Sequence, residues 1–223
     1  MRCVVVNSPG TGVAALIAPA LGKAAMKIGE LIMLATNLQP FLMGIAVSVL
    51  VGIALTLPIS SAAICAAFGL TGLAGGAAVA GCCAQMVGFA VMSFKENRWG
   101  GLVSQGIGTS MLQMGNIIKN PRIWIAPIVT SAITGPMATC LFKLQMNGTP
   151  VSSGMGTCGF VGQIGVYSGW VNDIANGTKA AITGFDWTGM ILISFILPAV
   201  LCPLINMLLK KIGWVKDGDM KLS

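Results

Sequence analysis

An all-α, polytopic membrane protein is the fold class this sequence predicts, on three observations. Hydrophobic residues make up 55% of the 223 and charged ones only 9%, against roughly 25% charged in a soluble domain. Charges are absent from Leu31 to Phe94, from Ile123 to Phe142 and from Trp187 to Leu209, and about 20 apolar residues suffice for a helix to cross a bilayer. None of these runs shows the alternation of polar and apolar residues that a membrane β-barrel requires. The mean hydropathy of +0.86 agrees. The whole chain, 1–223, reads as one transmembrane domain.

Taken in order, the first thirty residues are rich in Gly, Ala and Pro and read as an interfacial or short spanning helix, not as a cleavable leader. Lys23, Lys27 and Glu30 share one helical face there. Residues 40–57, PFLMGIAVSVLVGIALTL, form a clear span ending at Pro58. Residues 58–76 are small and weakly apolar, a candidate re-entrant hairpin. Residues 77–94, AAVAGCCAQMVGFAVMSF, form the next span, closed by the charged KENR. Residues 100–118 are long enough to cross but carry five glycines and six polar side chains. Basic residues flank both ends, Lys95 and Arg98 before, Lys119 and Arg122 after, so a segment that enters and returns on one side is preferred. Residues 123–142 form a span broken by Pro127 and Pro136. Residues 151–168 are a third re-entrant candidate. Residues 187–209 form the last span and end in Lys210-Lys211. Basic loops favour the cytoplasm, so the spans near 40, 77, 123 and 187 are expected to alternate, with Lys23, Lys27, KENR and Lys210-Lys211 inside.

Charge and cysteine usage exclude several functions. The net charge of +7 sits in short loops and sets orientation, and no basic patch interleaves with aromatics, so nucleic acid is excluded as a partner. The seven cysteines contain no CxxC pair and behave as small hydrophobes in apolar runs. Histidine is absent, which removes the commonest metal ligand and proton shuttle. No metal and no cofactor is expected. Every Asp and Glu lies in a loop or flank of the predicted spans, so neither an intramembrane proton relay nor a catalytic acid pair is expected, and no catalytic residue is assigned.

One internal echo stands out. SQGIGTS, 104–110, and SSGMGTC, 152–158, share the pattern S-x-G-x-G-T. A phosphate loop would need a preceding strand and a following lysine, and neither is present. Two readings remain. Paired broken segments in corresponding parts of a transporter point to a midplane substrate site. Small residues at regular spacing also simply pack membrane helices. On the first reading Gly106, Gly108, Gly154 and Gly156 let a ligand approach the backbone. The hydrogen-bonding side chains along the path are then Ser60, Ser61, Gln85, Gln105, Thr109, Ser110, Gln113, Asn116, Thr157 and Gln163. Each has a plainer role beside it. Ser60 and Ser61 follow Pro58 and suit a helix N-cap, Gln85 can link two helices, and Asn37 and Gln39 suit the end of a span. Uncharged donors and acceptors fit a hydroxyl-rich solute better than an ion.

The segments NLQPFLMGIAVSVLVGIALTLPISSAAI (37–64), GCCAQMVGFAVMSFKEN (81–97), GIGTSMLQMGNIIKNPRIWIAP (106–127) and GMGTCGFVGQIG (154–165) resemble the bacterial membrane family described as the second type of phosphotransferase-system enzyme IIC. The resemblance covers roughly residues 10–210. It implies a multi-pass permease subunit of the bacterial inner membrane that binds a sugar and works with separate phosphocarrier subunits in phosphoenolpyruvate-dependent uptake. It implies at most the membrane component of a sugar phosphotransferase, with the lipid bilayer as surroundings and a homodimer as one admissible assembly. Family members carry further membrane segments ahead of the matched part, so a shortened form or fragment is expected. The rival expectation is a non-transporting sensor or regulatory protein of the same fold, with KENR and KNPR as its contact surface.

Overall fold

The computed structural model describes residues 23, 26–28, 30–32, 34–36 and 38–222. The expectations placed on residues 1–22 and on Asn37 lie outside these. Among the described residues there is no β-strand, only an antiparallel bridge between Gly72 and Met146. Helix follows helix, and the protein is all-α and polytopic. Among the described residues three helical stretches are long and apolar enough to cross a membrane: Gly72–Met92, Pro121–Leu141 and Gly184–Lys211.

The first complete helix, α1, is Pro40–Thr56, with proline in its first turn, where a missing N–H costs nothing. It stops at Leu57, whose extended backbone is what a following proline favours. A short α2, Ser61–Ala67, follows, and Ser60 caps it by accepting the Ala63 N–H at 3.2 Å. The plainer role of Ser60 is thus realised.

The centre of the molecule is α3, Gly72–Met92, almost wholly buried. Its small residues explain this. A Cβ on Gly81 would lie 1.9 Å from the Ser48 carbonyl oxygen, and one on Gly76 would lie 1.8 Å from the Leu144 carbonyl oxygen. Backbones therefore approach α3 on several sides, the packing expected of small residues between membrane helices.

Residues Phe94–Val103 form α4, Met114–Lys119 α5, and Ile125–Pro136 α6. A 3-10 turn, Pro121–Trp124, leads into α6 and a π turn, Met137–Leu141, extends it. The break expected at Pro127 does not occur. That proline sits in the first turn of α6, where a helix has unpaired N–H groups in any case. Next come α7, Pro150–Ser153, and α8, Val161–Ala175. The last spanning stretch joins α9, Gly184–Ile191, a π turn, Leu192–Ile196, and α10, Leu197–Lys211. It starts three residues before the predicted span because Thr183 and Asp186 form a reciprocal cap.

The expected alternation of spans needs correction. Ser48 packs at Gly81, and Thr56 bonds Gln85, so α1 runs in the same direction as α3. Against α6 it is antiparallel: the Pro40 carbonyl accepts from Thr139, and the Ser131 carbonyl accepts from Ser48. The physical reason is the connection. Residues 57–71 do not cross; α2 and its turns carry the chain back from the level of Gln85 to Gly72. The hairpin 40–71 enters and leaves at the end of α3 that begins with Gly72.

Candidate functional site

Polar groups gather where several helices end at the same depth. Gln85 lies about 10 Å from the end of α3, seven residues before Met92. Its side chain is fully buried. There α1 terminates, α6 begins and the backbone of the first echo turns. The Gln85 Oε1 accepts the Trp124 indole N–H at 2.9 Å and the Thr56 hydroxyl at 3.3 Å. Thr56 and Ser110 hydroxyls lie 2.9 Å apart. The Gln85 Nε2 has no partner among the described residues. A buried amide donor left unpaired costs free energy of roughly 1–3 kcal/mol.

The segment 100–118 is broken and does not form a single helix. After α4, a π turn covers Ser104–Gly108, Thr109 is extended, and a 3-10 turn covers Ser110–Gln113 before α5. Thr109 caps that turn, accepting the Met111 N–H. The second echo is broken too. Gly156 and Gly159 have positive φ, and Phe160 takes φ 57, a conformation costly for any residue but glycine. The two echoes touch: the Thr157 hydroxyl donates to the Gly106 carbonyl at 2.5 Å.

The glycines of the two echoes differ. A Cβ on Gly154 would lie 2.6 Å from the Ser61 carbonyl oxygen, and one on Gly156 would lie 2.6 Å from Cys82 Cβ. These two serve close packing, and Ser61 reinforces it by donating to the Gly154 carbonyl at 2.7 Å. Gly106 has only ordinary contact with Ala90, and Gly108 has nothing within 4 Å. Close packing thus accounts for the glycines of the second copy, while those of the first are open.

Three of the sequence-selected amides form a relay. Gln105 donates to Ser93 at 2.8 Å and accepts from Gln113 at 2.8 Å. Asn116 donates to Gln113 at 2.8 Å. The relay ends on the chain's last residues, where Gln113 donates to the Met220 carbonyl and Asn116 to that of Lys221. The Glu96 carboxylate accepts the Gly218 and Met220 N–H groups, each at 2.9 Å. Asn97 both donates to Met220 and accepts from Leu222. Met220 is fully buried beneath the broken segment.

On another side of α3, Gln163 Nε2 donates to the Cys83 thiol at 3.3 Å. Its Oε1 has no partner among the described residues, and the Ser194 side chain in the π turn lies beside the same thiol. Among the described residues, unpaired buried atoms thus lie at Gln85 and beside Cys83, at neighbouring levels of α3, and also at Asn206 in α10. Among the selected residues, Ser61 bonds Gly154 and Thr157 bonds Gly106, while Gln85 and Ser110 are joined through Thr56. Gln105, Gln113 and Asn116 form a separate network, and Ser60 lies apart from both. Sequence reasoning missed Thr56, Trp124 and Ser194. Thr56 ends an apolar run, Trp124 reads as an interfacial anchor, and only their depth beside Gln85 reveals a role. Among the described residues no group of three or more Cys, Asp or Glu could hold a metal ion.

No curated protein and no solved structure matches this chain in the comparisons made. The family model described as "Phosphotransferase system, EIIC" matches residues 1–222. An all-α membrane chain with broken polar segments meeting beside a central helix, matched over this length, belongs to the phosphotransferase-system enzyme IIC family.

Proposed function

We propose that this protein is the sugar-binding permease subunit of a bacterial inner-membrane phosphotransferase system, spanning the membrane several times and working with separate phosphocarrier subunits. The solute is a sugar or a similar small polyol. The observation that carries this reading is the unpaired Gln85 amide, buried where α1 ends, α6 begins and the first echo is broken. Irregular backbone at membrane depth is tolerated only beside protein or a polar cavity. Thr56, Ser110 and Trp124 supply hydroxyl and N–H groups around Gln85. Gln163 and Ser194 continue the polar path on the other side of α3, with Thr157 and the open Gly106 and Gly108 backbone between. Ser61, Gly154 and Gly156 hold this geometry by close packing. Gln105, Gln113 and Asn116 brace the end covered by residues 214–222, and Ser60 and Thr109 cap the neighbouring turns. None of these side chains ionises, which suits an uncharged ligand.

A thermal-shift screen of detergent-purified protein against glucose, fructose, mannitol and galactitol tests this reading. A ligand that binds only the folded state raises the melting temperature by mass action. The expected result is stabilisation by at least one of the four, clearly reduced in Gln85→Leu. Stabilisation that is undiminished in both Gln85→Leu and Gln163→Leu would remove the site from the Gln85 level. Stabilisation without any flux in vesicles would favour a sensor.

A further inference from the structure

A cavity of about 420 Å³ lies away from all of these residues. It falls within the range of roughly 300–1,000 Å³ common for small-molecule sites. Its walls are the loop 143–149 after α6 and the residues joining α8 to α9. The bridge between Gly72 and Met146 ties the first wall to the start of α3. The second is tied to the first by Asn147, which donates to Asp173 Oδ2 at 2.8 Å. The floor is closed by Trp170, with the Lys179 ammonium 5.2 Å over its ring and bonded to Asp186 at 2.7 Å.

The charges of this lining cancel, with two lysines, Lys143 and Lys179, against two aspartates, Asp173 and Asp186. Asp186 is consumed by Lys179 and by its own helix cap. Lys143 has no ion-pair partner among the described residues. Among the described residues the Gln145 side chain engages only its Oε1, with Asn147, and that of Asp173 only its Oδ2. Free donors at Lys143 and Gln145 Nε2 therefore face free acceptors at Asn147 Oδ1 and Asp173 Oδ1. A hydroxyl both donates and accepts, so several on one molecule can satisfy donors and acceptors together. An anion would leave Asp173 opposed, and a cation would leave Lys143 opposed.

The opposite end of α3 leads into Lys95 and Arg98 and lies with Lys210 and Lys211 at the end of α10. Clustered basic residues mark the cytoplasmic side, so the cavity opens on the outer face. We propose that this cavity is an outer vestibule site that captures a neutral polyhydroxylated solute before it reaches the Gln85 level. The inference rests on the permease reading and adds a second, separate binding position to it.

Trp170 borders the cavity and Trp187 packs edge-on against it at 5.7 Å, so intrinsic fluorescence is the readout. The full chain in detergent is titrated with glucose, fructose, mannitol and galactitol, and with inorganic phosphate. The variants are Gln145→Ala, exposed and free to change without unfolding, Asp173→Asn and Gln85→Leu. The expected result is saturable quenching by a neutral member of the panel, weakened at least tenfold in Gln145→Ala and Asp173→Asn and retained in Gln85→Leu. Quenching retained in the first two but lost in Gln85→Leu would overturn the vestibule and leave the permease reading standing. Saturation by phosphate alone, or by nothing in the panel, would also overturn it. Flux measured on the same preparations then judges the permease reading by itself.

Discussion

The two ends of α3 are built in opposite ways. At the end near Met92, residues 214–222 fold back and are held through their backbone by Glu96, Asn97, Gln113 and Asn116. Val215 and Met220 are buried there. At the end near Gly72, side chains with unused hydrogen-bonding capacity surround an open cavity. The tail end spends its polar groups on the chain itself, and the loop end keeps Lys143, Gln145 Nε2 and Asp173 Oδ1 without partners among the described residues. Between the ends lies the Gln85 level, buried and still short of one partner. The proposed solute path would accordingly be closed at the tail and open at the loops. Polar side chains alone do not mark a ligand site; what their neighbours have already satisfied decides.

The most disruptive change tests the scaffold that keeps the ends apart. In Gly81→Leu the new side chain meets the Ser48 backbone, where a Cβ alone would lie 1.9 Å from the carbonyl oxygen. Overpacking of this kind costs about 3 kcal/mol or more, and loss of the monodisperse folded peak on size exclusion is expected. A well-folded Gly81→Leu protein would show that α1 and α3 can separate freely.

Next in size is the seal. Glu96→Ala removes an ionised acceptor from two backbone N–H groups, and hydrogen bonds to charged groups contribute about 1.5–3 kcal/mol each. Hydrogen exchange of residues 214–222 is expected to quicken by at least tenfold, while exchange of residues 143–149 stays as it was. Equal acceleration at both ends would deny that the ends are independent.

A smaller stability change is expected for Gln85→Leu. It deletes the unpaired Nε2 but strands the Trp124 N–H, and these opposing effects leave the melting point changed by about 1 kcal/mol equivalent or less. A large loss of stability would make Gln85 a structural link between helices.

The smallest effect belongs to the Lys210–Asp217 pair. Hydrogen bonding to the Lys210 ammonium holds the exposed Asp217 carboxyl below its ordinary value of 3.8. A depressed carboxylate contributes stability above its unfolded value and loses it as pH falls through the folded one. Lys210→Met should therefore leave tail exchange nearly unchanged at neutral pH, and any difference from the native chain should fade below about pH 3.8. A difference that grows on acidification would contradict this sign.

Much of this was legible in the sequence. Long charge-free runs identified the membrane class, and the repeated S-x-G-x-G-T located both broken segments before their contact through Thr157 and Gly106 was known. The direction of α1 was not legible, because hydropathy registers a helix of 17 residues without saying whether the next segment crosses. The tail was hidden because its bonds join backbone groups to side chains more than a hundred positions away. The cavity between the loops was hidden in residues that read singly as loop charges. Lys143, Asp173 and Asp186 gain meaning only when two distant loops are folded together. Gln105 and Gln113 looked free for a ligand, since a sequence does not show that each is the other's partner.

The most direct test is solute exchange in proteoliposomes containing the purified full chain, using radiolabelled glucose, fructose, mannitol and galactitol. Wild type and Gln85→Leu are compared at matched reconstitution and matched melting temperature. The account expects exchange of at least one neutral solute by wild type and at least a tenfold loss in Gln85→Leu. Undiminished exchange in Gln85→Leu, or no exchange of any of the four by wild type, would contradict a permease path at the Gln85 level.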